Sequence, residues 1–213
     1  ATENLYQGFL GVLAPWRFRN IFLGVLAVQV ILASWRFYSM SNSMSNPVPN
    51  ASPVLMLCDM DTDALQELLG NYGLRLEIVP ADAAIPGSFW GGSEAGLIGD
   101  RVLARADTPV HSILHEACHY VCMDAVRRNA LHTDAGGGYA EENGVCYLQI
   151  LLAGRLAGVG HARLMRDMDA WGYSFRLGST ADWFARDAED ARAWLLTHGL
   201  IDVADAPTWR LRG

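Results

Sequence analysis

Two histidines and a glutamate, His115, Glu116 and His119, follow the spacing H-E-x-x-H. Residues four apart on an α-helix lie on one face about one turn apart, so both imidazoles can reach a single ion while Glu116 projects beside them. A divalent metal held by two neutral imidazoles lowers the pKa of its bound water, and an adjacent carboxylate can take the proton. The motif therefore predicts zinc on His115 and His119, with Glu116 as the catalytic general base. The plainer alternative is a buried amphipathic helix with two hydrogen-bonded histidines.

A catalytic zinc site usually has three protein ligands and one open position, so a further ligand is expected after the motif. Glu141 and Glu142 are the best candidates, because the chain between His119 and them is long enough to turn and return as a second helix. Adjacent helical residues point about 100° apart, so only one of the two can face the metal. The helical phase of the apolar residues that follow places Glu141 on their face of the helix, which favours Glu141 as the ligand. Asp134 is an alternative third ligand, or an acceptor for an imidazole N–H.

Other polar side chains near the motif are candidates for supporting roles. We predict that Tyr139 is a catalytic residue that hydrogen-bonds a developing oxyanion, a role also open to Tyr147 and His132. His111, one turn before His115, is expected beside the ligands or in solvent rather than on the metal. The alternative for each of these residues is a purely structural role.

The segment Glu142-Asn-Gly-Val-Cys-Tyr-Leu-Gln149 resembles the third-ligand helix of gluzincin-type zinc metallopeptidases. In those enzymes the ligand glutamate is followed at similar distances by Tyr-Leu and by an acid or amide. The resemblance spans residues 115–149 and implies that Glu142 is the third ligand. It also implies a zincin-like fold and hydrolysis of a peptide bond.

A second, ordered resemblance is to the elongation factor P hydroxylase family, whose members are non-haem metal enzymes with an H-E-x-x-H motif. It is carried by four segments in the same order: Pro80–Pro86, Leu114–Tyr120, Arg127-Arg128 and Asp134–Gly136. The family's aromatic-rich segment after Asp-x-Gly is replaced here by Gly-Gly-Tyr. The resemblance implies iron in place of zinc, again on His115, His119 and a carboxylate.

The pattern of apolar residues predicts an α+β fold in which small strands precede the metal-binding helix pair and further helices follow. Thr108 as N-cap and Pro109 at the first helical position predict the start of the motif helix, which should run to about Arg128. The Gly-rich stretch 133–138 is expected to be a flexible lip over the site. The remaining predicted strands are 54–58, 74–79 and 97–104, the last interrupted by Gly99-Asp100, and the remaining predicted helices are 62–69, 141–153, 161–171 and 180–198.

The first 53 residues differ in composition from the rest of the chain. Residues 1–8 include Glu3–Gly8, which resembles a tobacco-etch-virus protease site lacking one Phe, and are interpreted as the remnant of an expression tag. Residues 9–39 form a hydrophobic segment with an uncharged run from Asn20 to Trp35. Its Arg and aromatic flanks predict an N-terminal hydrophobic helix that associates with a membrane through residues 20–38. A signal peptide and a buried or partner-facing helix are the alternatives.

Residues 40–53 are then a polar, Pro-rich linker, and residues 54–213 form the zincin-like metal-binding domain, expected in the cytoplasm. The four cysteines are expected to be reduced thiols. A net charge of −7 without a basic cluster argues against a nucleic-acid partner.

The function predicted from these features is metal-dependent hydrolysis of an amide bond in a peptide or protein substrate. The first alternative is a non-haem iron hydroxylase that acts on a protein side chain. The second is a non-catalytic, membrane-anchored accessory subunit that retains a zincin-like fold.

Overall fold

The computed structural model of the chain describes residues 54–213. The predicted tag remnant (1–8), hydrophobic segment (9–39) and linker (40–53) all lie outside these residues. Within residues 54–213, no helix is both long and apolar enough to cross a membrane.

The described residues form a mixed α+β structure, as predicted, with seven α-helices and one three-stranded sheet. The helices are α1 (Thr62–Gly70), α2 (Val110–Cys122), α3 (Ala125–Asn129), α4 (Tyr139–Ala153), α5 (Gly160–Trp171), α6 (Thr180–Arg186) and α7 (Glu189–Thr197). The strands are β1 (Arg75–Ile78), β2 (Gly96–Ile98) and β3 (Arg101–Ala104), and a short 3₁₀ helix covers Leu57–Asp59.

The sheet has the strand order β1-β3-β2. β1 runs parallel to β3 with Leu76 opposite Val102, and β2 runs antiparallel to β3 with Leu97 opposite Val102. The predicted interruption at Gly99-Asp100 is the hairpin turn between β2 and β3, where Gly99 has a φ of +56°. Leu97 and Val102 are fully buried, and α2 packs against β2 and β3. The sheet therefore supports the motif helix from one side.

The motif helix α2 is shorter than predicted and begins differently. Pro109 itself occupies the N-cap position with an extended backbone, while the Thr108 hydroxyl accepts a hydrogen bond from the Arg105 N–H at 2.9 Å. The helix ends at Cys122 because Met123 turns into an extended conformation. Asp124 then caps α3, its carboxylate accepting from the Arg127 N–H at 2.9 Å. An aspartate that can cap a new helix favours that break over continuation to Arg128.

Two other predicted elements differ from the structure. The predicted strand at 54–58 is reduced to a single bridge between Met56 and Pro109, followed by the 3₁₀ helix. The predicted final helix is divided into α6 and α7 at Asp187, whose φ of −145° is not helical.

Helix α4 lies at the centre of the helical part of the protein. It packs against α2, α5 and α7, and Leu148, Ile150 and Leu152 are completely buried. A helix that is apolar all round is one that neighbours cover on every side. The position of α4 is therefore set by α2 on one face and by α7 on another.

Close approach of α7 to α4 depends on Gly144. A Cβ at this position would lie 2.7 Å from Cε3 of Trp194. Gly144→Ala should destabilise the protein by about 1–3 kcal/mol through overpacking, although alanine is the better helix former. Gly70→Ala in α1, where a Cβ has no atom within 4 Å, is the matched control and should be neutral or stabilising. Urea unfolding of both variants checks this, and equal stabilities would contradict it.

Candidate metal centre

Helices α2 and α4 bring His115, His119 and Glu142 together at their interface. His115 Nε2 lies 3.1 Å from His119 Nε2, and the Glu142 oxygens lie 3.3 Å from His115 Nε2 and 3.5 Å from His119 Nε2. The three side chains form a group whose ligand atoms could hold one metal ion. Ligand atoms about 2.0–2.1 Å from a tetrahedral zinc ion lie roughly 3.3 Å apart, so the observed spacing fits such an ion.

Of the two glutamates proposed as third ligand, Glu142 is the one in this group. Glu141 faces elsewhere: Arg127 Nη2 donates to both of its oxygens at 2.7 Å, and Arg212 Nη1 donates to one at 2.8 Å. The helical-phase argument favoured Glu141 because it assumed that α4 has a single apolar face. Since α4 is covered on several sides, the phase of its apolar residues does not identify the side that meets α2.

Asp134 does not join the group either. Its Oδ1 accepts a hydrogen bond from the Gly136 N–H at 2.8 Å, within the Gly-rich stretch. The pKa of His119 is lowered to about 4 because burial outweighs the attraction of Glu142. The negative charge of Asp134 also acts against this lowering. No hydrogen-bond partner of the buried His119 Nδ1 is found among residues 54–213.

Gln149 orients His115. The amide nitrogen of Gln149 donates to Met168 Sδ at 2.9 Å, so its oxygen faces His115 Nδ1 at 3.0 Å and accepts the N–H there. With the proton held on Nδ1, Nε2 is the lone-pair nitrogen that a metal needs. The sequence analysis gave Gln149 no role. Its position two helical turns after Glu142 is the signal that places both on one face.

Glu116 follows His115 directly and lies next to this group. It remains the candidate general base. Burial raises its pKa to about 7, and the carboxylates of Glu142 and Glu94 add to that rise while the charge of His115 opposes it. A carboxyl group with a pKa near neutrality can both accept and return a proton at physiological pH.

Aromatic rings from the end of α5 and the residues after it border the site. The ring of Tyr173 lies 5.9 Å from that of His115 and 5.5 Å from that of His111, which also contacts Trp171 at 5.3 Å. Burial raises the pKa of Tyr173, so its hydroxyl stays protonated. These residues follow the motif by more than 50 positions, and only their aromatic character marked them in the sequence.

The two tyrosines and the histidine that were proposed to hydrogen-bond an oxyanion lie in three different environments. Tyr139 is 65% exposed at the start of α4, one turn before Glu142, and its catalytic role remains a prediction. Tyr147 stacks on Phe184 at 4.6 Å, and the ring of His132 contacts the Thr133 hydroxyl at 2.9 Å.

We predict that Gln149→Leu lowers the affinity for a divalent metal by about 10–100-fold, the usual effect of losing the group that orients a histidine ligand. Gln149→Glu retains an acceptor for His115 Nδ1 and should keep most of the affinity. Competition between the protein and a chromophoric chelator for Co²⁺ measures both variants. Equal affinities of wild type and Gln149→Leu would contradict the role assigned to Gln149.

Metal binding should also depend on pH. Burial alone lowers the pKa of His115, but the Glu142 carboxylate, 3.3 Å from Nε2, outweighs it and raises the pKa well above its usual value. The pKa of Glu142 is lowered to about 2, since the two imidazoles outweigh the effect of burial. Without metal, a proton on His115 therefore balances the Glu142 carboxylate.

A bound cation has to displace that proton. Metal affinity therefore increases with pH until the pH reaches the pKa of His115, and it decreases as the pH is lowered from there. The expected slope is about tenfold per pH unit, the effect of one proton. Zn²⁺ affinity measured by chelator competition at pH 6, 7 and 8 checks the sign. Affinity that is constant over this range would show that no proton is displaced.

Comparisons with protein-family models, with curated proteins and with solved structures find no match to this chain. The geometry of the His115, His119 and Glu142 group is therefore the main guide to function.

Proposed function

We propose that this protein is a zinc-dependent hydrolase of the zincin type that cleaves an amide bond in a peptide or protein. The observation that carries the proposal is the convergence of His115, His119 and Glu142 across two helices, with Glu116 beside them. Two imidazoles and one carboxylate are a recurrent ligand set of catalytic zinc, and they leave one coordination position open.

When bound, the metal supplies a Lewis acid that lowers the pKa of water and polarises a carbonyl oxygen. Glu116 accepts the proton of the attacking water and passes it to the leaving amine. A pKa of about 7 without metal suits this exchange. A neighbouring cation would counteract this rise and lower the pKa, so that Glu116 is ionised at neutral pH and ready to act as a base.

The developing negative charge on the substrate needs a hydrogen-bond donor. Tyr173 is well placed, because its ring contacts His115 and its raised pKa keeps the hydroxyl proton. Tyr139, exposed one turn before Glu142, is the second candidate for this role. Neutral donors of this kind stabilise an oxyanion without requiring a proton transfer of their own.

A non-haem iron hydroxylase is the second candidate function. Two histidines and one carboxylate also form the ligand set of non-haem Fe(II) oxygenases, and the resemblance to the elongation factor P hydroxylase family points the same way. Both families carry a glutamate at the position of the half-buried Glu116. We favour the hydrolase because hydrolysis gives this carboxyl group a defined role as general base. Membrane association through residues 20–38, and the non-catalytic accessory role, remain hypotheses.

Glu116→Gln should retain the metal and lower turnover by about 10²–10⁴-fold, since glutamine is similar in shape but cannot accept the proton. His115→Ala should lose both metal and turnover. Elemental analysis of the purified full chain, and mass spectrometry after incubation with a library of peptides, measure the two properties.

Retained turnover in Glu116→Gln would disprove the proposed mechanism. Iron in the wild-type protein, together with oxygen consumption, would replace the hydrolase with the hydroxylase. No bound metal in the wild-type protein would favour the accessory role over both enzymes.

A further inference from the structure

Glu141, the neighbour of the ligand Glu142, is held by a network that we call the arginine clamp: Glu141, Arg127 and Arg212. The Glu141 side chain is only 9% exposed, and both of its oxygens accept hydrogen bonds from guanidinium groups at 2.7–2.8 Å. A buried carboxylate needs such partners, because removing them leaves an uncompensated charge.

Arg212 ties this carboxylate to the end of the motif helix. Its backbone N–H donates to the Val121 carbonyl at 3.0 Å, and its Nη1 donates to the Cys122 carbonyl at 3.2 Å. These are the last two residues of α2, where carbonyls have no partner within the helix. Arg128 adds a further link by donating to the Arg212 carbonyl at 2.8 Å and to the Tyr120 carbonyl at 3.0 Å.

Arg127 joins the clamp to the Gly-rich stretch before α4. Its Nη1 donates to the Ala135 carbonyl at 3.1 Å, and its Nε donates to Asp124 Oδ2 at 3.0 Å. Gly137, with a φ of +114°, packs so closely that a Cβ there would lie 2.8 Å from Glu141 Oε1. The stretch that was predicted to be a flexible lip is thus fitted around Glu141.

We propose that the arginine clamp sets the position of Glu142 as a metal ligand, and that Arg212 is a positioning residue of the metal centre. Glu141 and Glu142 point about 100° apart on α4, so holding Glu141 against the arginines turns Glu142 toward the histidines. The same residue, Arg212, holds the end of α2 that carries His119. The distance between His119 and Glu142 therefore depends on the C-terminal segment around Arg212, which itself contributes no ligand. The proposal rests on the proposed metal centre.

The test compares Arg212→Ala with Arg210→Ala in the full chain. Arg210 is an exposed arginine two residues earlier, so the control removes the same charge from the same segment. Arg212→Ala should bind Co²⁺ about 10–100-fold more weakly than wild type by chelator competition, while Arg210→Ala should match wild type. Arg212→Lys keeps the charge near Glu141 but lacks the fork of donors, and its affinity should be intermediate.

Thermal unfolding of the metal-free proteins separates positioning from stability. A lower melting temperature with unchanged Co²⁺ affinity in Arg212→Ala would overturn the proposal, because the clamp would then be only structural. If Arg212→Ala does not fold, Glu141→Gln carries the same test at the other end of the clamp.

A wild-type protein that binds no Co²⁺ would refute the proposed metal centre rather than the clamp itself. Hydrogen exchange of the metal-free proteins then decides whether Arg212 positions the ligand helix. Faster exchange of the amides of residues 142–146 in Arg212→Ala than in Arg210→Ala supports the positioning role, and equal exchange overturns it.

Discussion

Two imidazoles and a carboxylate face one another between α2 and α4, within 3.5 Å and largely shielded from water. Removing an ionised carboxylate from water costs several kcal/mol unless a positive charge compensates it. The Glu142 carboxylate thus requires a cation at this place, either a proton on a histidine or a metal ion. Much of the surrounding structure holds the three side chains where one cation can satisfy them.

That support comes from both sides of the helix pair. The sheet packs on α2, and α5 and α7 cover the faces of α4 that do not meet α2. Within this frame Gln149 orients His115 from α4, and the arginine clamp holds the ends of both helices near Glu142. His115 cannot rotate away without breaking its hydrogen bond to Gln149, and the start of α4 cannot turn without breaking those of Glu141 to the arginines.

The parts of this site that could be predicted from the sequence are those with short spacings. His115, Glu116 and His119 share one helix, so their arrangement follows from helical geometry alone. The choice of Glu142 over Glu141 did not follow from helical phase, because α4 is apolar on several sides. Arg212 lies 71 residues from Glu141, and no local pattern links positions that far apart. The end of α2 at Cys122 differs from the predicted end at Arg128, because Asp124 caps a new helix.

The ligand set alone does not distinguish hydrolysis from oxygen chemistry, since zinc and non-haem iron both accept two histidines and a carboxylate. Both of the families that the chain resembles carry a glutamate at the position of Glu116, so the choice between them depends on the role that this carboxyl group would have in each reaction. Burial, together with the like charges of Glu142 and Glu94, raises the pKa of Glu116, so keeping this group ionised is unfavourable in the absence of a cation. A hydrolase benefits from that arrangement, because water attack releases a proton that a nearby base must accept. Oxygen activation at iron depends on the electrons of the metal and has less need of such a base. We therefore propose hydrolysis, the reaction in which Glu116 has a defined role beside the three ligands.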